Sequence, residues 1–73
     1  MRGEIERFSS GWSQVNLRIK PDEVDALVKK LQRLTTTSHF HLRGTYDEAA
    51  GAGVADIEIS LQGPDESDNL VLE

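Results

Sequence analysis

The chain contains a single stretch with the period of an amphipathic helix, and short alternating segments stand on both sides of it. Between Pro21 and Leu34 the large apolar residues recur at spacings of three and four, which places them in one stripe. Pro21 suits the first helical turn, where its missing N–H is not needed, and acidic residues follow it at the positive end of the helix dipole. Because a helix with one apolar stripe can cover only one layer, this segment restricts the fold more than any other. The stripe consists of Val24, Leu27, Val28, Leu31 and Leu34.

The segments around the helix alternate with a period of two, as half-buried strands do. Residues 4–8 and 12–19 predict a hairpin joined by a Ser-Ser-Gly turn, and residues 39–43 and 56–61 predict two further strands. Residues 69–71 predict a short edge strand after a Gly-Pro-Asp turn. The expected fold is α+β, a two-layer β-β-α-β-β sandwich with the helix on one face of a mainly antiparallel sheet. The side chains expected to point inward are Val15, Leu17 and Ile19 of the hairpin and Phe40, Leu42, Ile57, Ile59 and Leu61 after the helix.

The length of 73 residues predicts one small domain, which we place at residues 1–71. The last two residues, Leu72-Glu73, resemble a cloning scar ahead of a purification tag. The chain has no cysteine, so disulfides and thiolate chemistry are excluded. It also lacks an apolar run of the roughly 18 residues that a membrane span requires, and it does not open like a signal peptide. We therefore expect a cytoplasmic protein without a membrane partner.

Charge is divided unevenly along the chain. Residues 1–43 hold eight basic and five acidic residues, a net charge of +3, whereas residues 44–73 hold eight acidic and no basic ones, a net charge of −8. An acidic half repels phosphate, so a nucleic-acid partner is not expected. The acidic half either folds against the basic half and neutralises it or presents a surface to a protein partner.

The two histidines of the chain, His39 and His41, share one face of a predicted strand with α-carbons roughly 6.5–7 Å apart. A structural zinc site normally uses four nitrogen or sulfur ligands, whereas this chain has two histidines and no cysteine. A metal site is therefore not the expected interpretation, and no cofactor is expected either. If the last two strands pair, Asp56 and Glu58 face the imidazoles. That arrangement leaves two alternatives open: a two-histidine, two-carboxylate metal site, or a pH-sensitive pair in which the carboxylates favour protonated imidazoles.

Enzyme activity is not expected. Serine, histidine and aspartate are all present, but common residues carry no catalytic meaning without geometry, and the glycines near residue 52 lack the spacing and the lysine of a phosphate-binding loop. Two aromatic residues could either pack against the fold or contact a partner. Trp12 is interpreted as packing over the end of the hairpin rather than as a binding hot spot, and Tyr46 is interpreted as an exposed partner contact.

The tetrapeptide His39-Phe40-His41-Leu42 resembles a motif of small immunity proteins from bacterial polymorphic toxin systems, the family numbered thirty-two. The preceding layout is similar too, with a strand that ends in "LRIKPDE" followed by a leucine-rich helix, so the resemblance covers about residues 12–62. Members of that family often continue with a tryptophan-glycine-glycine stretch, where this chain has Gly44-Thr45-Tyr46. The resemblance implies a non-enzymatic protein that binds and neutralises a cognate bacterial toxin.

On this hypothesis the acidic surface occupies a basic cleft of the toxin, because complementary charge accelerates encounter and selects partners. The alternative is a small structural or housekeeping domain that forms a homodimer through its open sheet face or edge strands, and a two-histidine metal-binding protein comes third. The residues assigned to partner binding are His39, His41, Tyr46, Asp47, Glu48, Asp56 and Glu58.

Overall fold

A computed structural model of the chain describes residues 1–46 and 52–73. The described part contains four strands and two helices in the predicted order β-β-α-β-β, which confirms the small α+β fold. The short second helix directly follows the first. The elements are β1 (Arg2–Arg7), β2 (Ser13–Arg18), α1 (Pro21–Gln32), α2 (Leu34–Thr37), β3 (His39–Arg43) and β4 (Asp56–Ser60).

Strands β1 and β2 form an antiparallel hairpin in which Ile5 lies opposite Val15. Its turn closes with two backbone hydrogen bonds, from the N–H of Phe8 to the carbonyl of Trp12 at 2.9 Å and from the N–H of Gly11 to the carbonyl of Phe8 at 3.1 Å. Gly11 has a φ of 93°, a left-handed conformation that glycine adopts without a steric penalty. The Ser-Ser-Gly turn predicted from the sequence is therefore present.

Strands β3 and β4 form a second antiparallel pair, with Phe40 opposite Ile59 and His41 opposite Glu58. A backbone hydrogen bond of 2.8 Å from Gly44 to Ala55 continues the pairing beyond one end. The four strands thus make two two-stranded sheets. Among the described residues, each strand therefore has one edge that no other strand covers.

Helix α1 begins at Pro21, as predicted, and Glu23 accepts a hydrogen bond of 3.1 Å from the backbone N–H of Lys20. The sequence predicts one helix along the apolar stripe from Pro21 to Leu34, whereas the structure divides this segment into two helices. Helix α1 ends at Gln32, and the threonines continue as α2 until Ser38, whose φ of 69° stops the helix. A threonine hydroxyl supports this turn, because Oγ1 of Thr37 donates to the carbonyl of Arg33 at 3.0 Å.

Phe40 is the one buried apolar side chain among the described residues, at 9% exposure. Leu27 and Leu34 of the helices and Ile57 and Ile59 of β4 are half-buried around it. The predicted inward faces are therefore confirmed at the centre of the second hairpin. Together these residues make a small core between α1 and the β3–β4 pair.

The predicted burial of the first hairpin is wrong for the single chain, because Val15 is 59% exposed and Leu17 is also exposed. The strand itself forms as predicted, but the side chains of Val15 and Leu17 remain open to solvent. The helix stripe is covered only in part, since Val24, Val28 and Leu31 remain exposed. The radius of gyration is 14.4 Å, whereas a compact domain of this length has one of about 11 Å.

The C-terminal segment after β4 is open and carries a turn but no strand. The Gly-Pro-Asp turn is confirmed by a hydrogen bond of 3.2 Å from the N–H of Glu66 to the carbonyl of Gly63. The edge strand predicted at residues 69–71 is not formed, and Leu70 and Val71 are exposed. Among the described residues, no helix has the length and the apolar character needed to cross a membrane.

Candidate functional site

A cluster of imidazoles and carboxylates lies on the outer face of the β3–β4 pair. Nδ1 of His41 lies 3.1 Å and 2.9 Å from the two carboxylate oxygens of Asp56. Nε2 of the same ring lies 3.6 Å from Oε1 of Glu58, the residue directly opposite in the register. The strand pairing on which the sequence prediction depended is present, and it brings these three side chains together.

The alternation of β3 explains why both histidines lie on this face. Phe40 and Leu42 point toward the core, so His39 and His41 point away from it and share the outer surface. Their rings meet edge to face, with centroids 5.4 Å apart and an interplanar angle of 87°. The Phe40 side chain that anchors the strand in the core thus also fixes the position of the two imidazoles.

The Asp56 carboxylate of this cluster also lies near the guanidinium group of an arginine. Nε of Arg43 lies 3.7 Å from Oδ1 of Asp56, so this carboxylate stands between a guanidinium and an imidazole. His41 is half-buried, whereas His39 and Glu58 are exposed. An open cluster of this kind can bind a cation or meet a polar surface, since its ligand atoms are accessible from solvent.

The remaining predicted contact residues lie beyond the end of β3. Tyr46 is 78% exposed, so its ring lies at the surface, and its role as a partner contact stays a prediction. Asp47 and Glu48 lie outside the described residues.

The interpretation of Trp12 as a packing residue is wrong for the single chain. Its side chain is 78% exposed at the end of the first hairpin, and Phe8 beside it is exposed as well. The signal that could have found this surface is the tryptophan itself, because tryptophan is enriched at binding hot spots. Phe8 and Trp12 flank the turn and are joined by a backbone hydrogen bond, and we call this exposed apolar pair the hairpin patch.

A second charged cluster crosses the first hairpin. Oε1 of Glu4 accepts hydrogen bonds from Nε of Arg2 at 2.7 Å and from a terminal nitrogen of Arg18 at 2.8 Å. The hydrogen bond from Arg2, followed by that from Arg18 and its charge, holds the pKa of Glu4 below its usual value of 4.5. The pair of arginines thus stabilises the ionised carboxylate and ties β1 to β2.

The start of the chain is tied to the start of α1 in the same way. The amino group of Met1 lies 2.7 Å from Oε1 of Glu23. This contact, followed by the hydrogen bond from the backbone of Lys20, lowers the pKa of Glu23 from its usual 4.5. The ion pair holds β1 close to the helix.

Comparisons of the chain with protein-family models, with curated proteins and with solved structures find no match. The resemblance of the His-Phe-His-Leu segment to immunity proteins therefore stays a prediction from the sequence.

Proposed function

We propose that this chain is a non-enzymatic module that binds another protein. The observation that carries the proposal is the size of its surface. The chain exposes 6761 Å², whereas a compact monomer of 8.1 kDa exposes about 4,500 Å². Exposed side chains of the tail at residues 61–73, of the hairpin patch and of the helix stripe belong to this surface.

The apolar share of this surface is what association would cover. Trp12, Val15 and Val28 are all exposed although their residue types are usually buried in a stable domain. A standard protein interface removes about 800 Å² from each partner, which is well below the roughly 2,300 Å² by which this chain exceeds a compact monomer. A protein partner therefore suits the molecule better than a small ligand does.

The finer proposal is that the partner is a basic protein, in particular a bacterial toxin that this chain neutralises. Asp56 and Glu58 present carboxylates on the outer face of β4, and no basic residue follows Arg43 in the sequence. Such a surface is complementary to a basic active-site cleft. The resemblance of residues 39–42 to immunity proteins supports the same assignment.

A capture experiment with charge-reversed baits tests this proposal. The wild-type chain and an Asp56→Lys/Glu58→Lys variant are incubated with lysate of the native organism, and bound proteins are identified by mass spectrometry. The matched control, Glu6→Lys/Asp25→Lys, changes the net charge equally on other surfaces. We expect a basic protein encoded beside this gene to be retained by wild type and control and lost by the strand variant.

The same experiment can contradict the proposal. If the strand variant retains the same protein as wild type, measured as an unchanged dissociation constant with the purified partner, the acidic face of β4 is not the contact. Circular dichroism of each bait confirms that the comparison concerns folded proteins.

A second candidate function is a structural homodimer, and the uncovered strand edges favour it. Two-stranded sheets are only marginally stable alone, and free edges pair readily with another chain. Light scattering on the purified chain decides this, since a dimer doubles the 8.1 kDa mass. Val28→Asp on the exposed stripe should dissociate such a dimer. Lys29→Gln, which changes the charge equally on another side of the same helix, should leave it intact. A monomer at all concentrations contradicts this candidate.

A further inference from the structure

His39, His41 and Glu58 bring three ligand atoms together on the outer face of the β3–β4 pair. Each residue offers one nitrogen or oxygen, and these atoms all lie within 4.8 Å of one another. Ligands of a tetrahedral zinc ion with bonds of 2.0–2.1 Å stand roughly 3.3 Å apart. The 3.6 Å between Nε2 of His41 and Oε1 of Glu58 is already close to that separation.

The hydrogen bonds of the two imidazoles point to the same use. Nδ1 of His41 faces both oxygens of Asp56, and because a carboxylate only accepts, this nitrogen carries the hydrogen. In the neutral ring Nε2 then holds a lone pair that faces the carboxylate of Glu58. A cation between the Nε2 lone pair of His41 and the Glu58 carboxylate would stabilise both.

The contact with Asp56 also has the form that metal-binding histidines usually show. Such a histidine donates its second ring hydrogen to a carboxylate, which fixes the orientation of the ring and raises its basicity. Nδ1 of His39 has a partner as well, since it lies 3.2 Å from Oγ of Ser38. A hydroxyl can accept a hydrogen from that nitrogen, and Nε2 of His39 then remains available for a metal.

We propose that His39, His41 and Glu58 bind a divalent transition-metal ion of the zinc type, with Asp56 as the residue that positions His41. Imidazole nitrogen favours Zn²⁺, Ni²⁺ and Cu²⁺, whereas Mg²⁺ and Ca²⁺ prefer oxygen ligands. Three protein ligands leave one coordination position for water or for a side chain of a bound protein. The proposal does not depend on which protein the chain binds.

The third ligand depends on a strand pairing that the sequence could state only as a condition. Two histidines on one strand were too few for a site, and Glu58 joins them only because β3 and β4 pair in the register that sets it opposite His41. The site is open to solvent on the side of His39 and Glu58. An ion can therefore reach it without rearrangement of the core.

Zinc titration of the wild-type chain, followed by NMR of its two imidazoles, tests the proposal directly. Zn²⁺ should shift the ring resonances of both histidines and saturate at one ion per chain in calorimetry, whereas Mg²⁺ should shift neither. Glu58→Gln should weaken zinc binding at least tenfold, and Asp56→Asn should weaken it by about 10- to 100-fold. Glu6→Gln, which removes a carboxylate from the other hairpin, should leave the affinity unchanged.

Two results would overturn the proposal. The first is the absence of shifts in the imidazole resonances of the wild-type chain at millimolar zinc. This measurement uses no variant, so misfolding of a variant does not explain it. The second is zinc binding that Glu58→Gln and Glu6→Gln weaken equally, because that pattern indicates diffuse attraction of the ion to an acidic chain.

Discussion

Replacement of Phe40 by alanine should remove a large part of the stability of this protein. A chain of 73 residues has a free energy of unfolding of about 4–11 kcal/mol. Phe40 is 9% exposed, and truncation of a buried phenylalanine costs about 3–5 kcal/mol. We expect a loss near the lower end, about 3 kcal/mol, because the half-buried neighbours Ile57 and Ile59 can relax into the space.

The chain offers a matched control in its other phenylalanine. Phe8 is 43% exposed at the end of the first hairpin, so Phe8→Ala forfeits less buried area and leaves no enclosed cavity. We expect it to cost about 1 kcal/mol. The two variants delete the same atoms, and only their surroundings differ.

Urea and thermal denaturation followed by circular dichroism measure both losses. A loss of 3 kcal/mol lowers the melting temperature of a domain of this size by about 12–24 °C, whereas the control should shift it by about 4–8 °C. Equal losses for the two variants, or a loss below about 1 kcal/mol for Phe40→Ala, would refute the assignment of the core to the β3–β4 hairpin. Measurement at two protein concentrations shows whether association contributes.

Three further predictions follow from the backbone and the charged clusters. The arginines that lower the pKa of Glu4 stabilise the fold above pH 4.5, the usual value, and this contribution is lost as the pH falls through the lower folded-state pKa. Urea titrations from pH 7 to 3 should therefore show Glu4→Gln less stable than wild type at pH 7 and equal to it in acid; a constant gap contradicts this. Gly44→Ala should clearly lower the melting temperature, because the added Cβ would overlap the carbonyl oxygen of Val54. Gly53→Ala is the control and should leave the melting temperature unchanged, because a Cβ there meets open space. Equal shifts for the two variants would contradict the close packing at Gly44. Ser38→Gly should raise the unfolding free energy by up to about 1 kcal/mol, since φ at residue 38 is 69°; a lower value in urea denaturation contradicts the strain argument.

Much of the secondary structure was predictable because it depends on neighbours in the sequence. Pro21 and the acidic residues after it mark the start of α1, and the three- and four-residue spacing of its stripe follows from the helix period. The alternation at residues 39–43 placed Phe40 inside and both histidines outside, as the structure has them. The break between α1 and α2 at Arg33 did not follow from the stripe, and the Thr37 hydroxyl, which donates to the carbonyl of Arg33, keeps the last turn helical.

The chain's own residue order thus determined the helix, the hairpins and the face on which each side chain stands, since these are local consequences of backbone periodicity. Tertiary structure alone decided that Glu58 lies opposite His41 and that Asp56 holds its ring, because strand register joins residues that are 15 or more positions apart. It also decided that Trp12 and Val15 remain exposed. The sequence pattern around them is the same whether or not other side chains cover them. The pattern therefore predicts which face of a strand is apolar, but not which part of the chain or which partner covers that face.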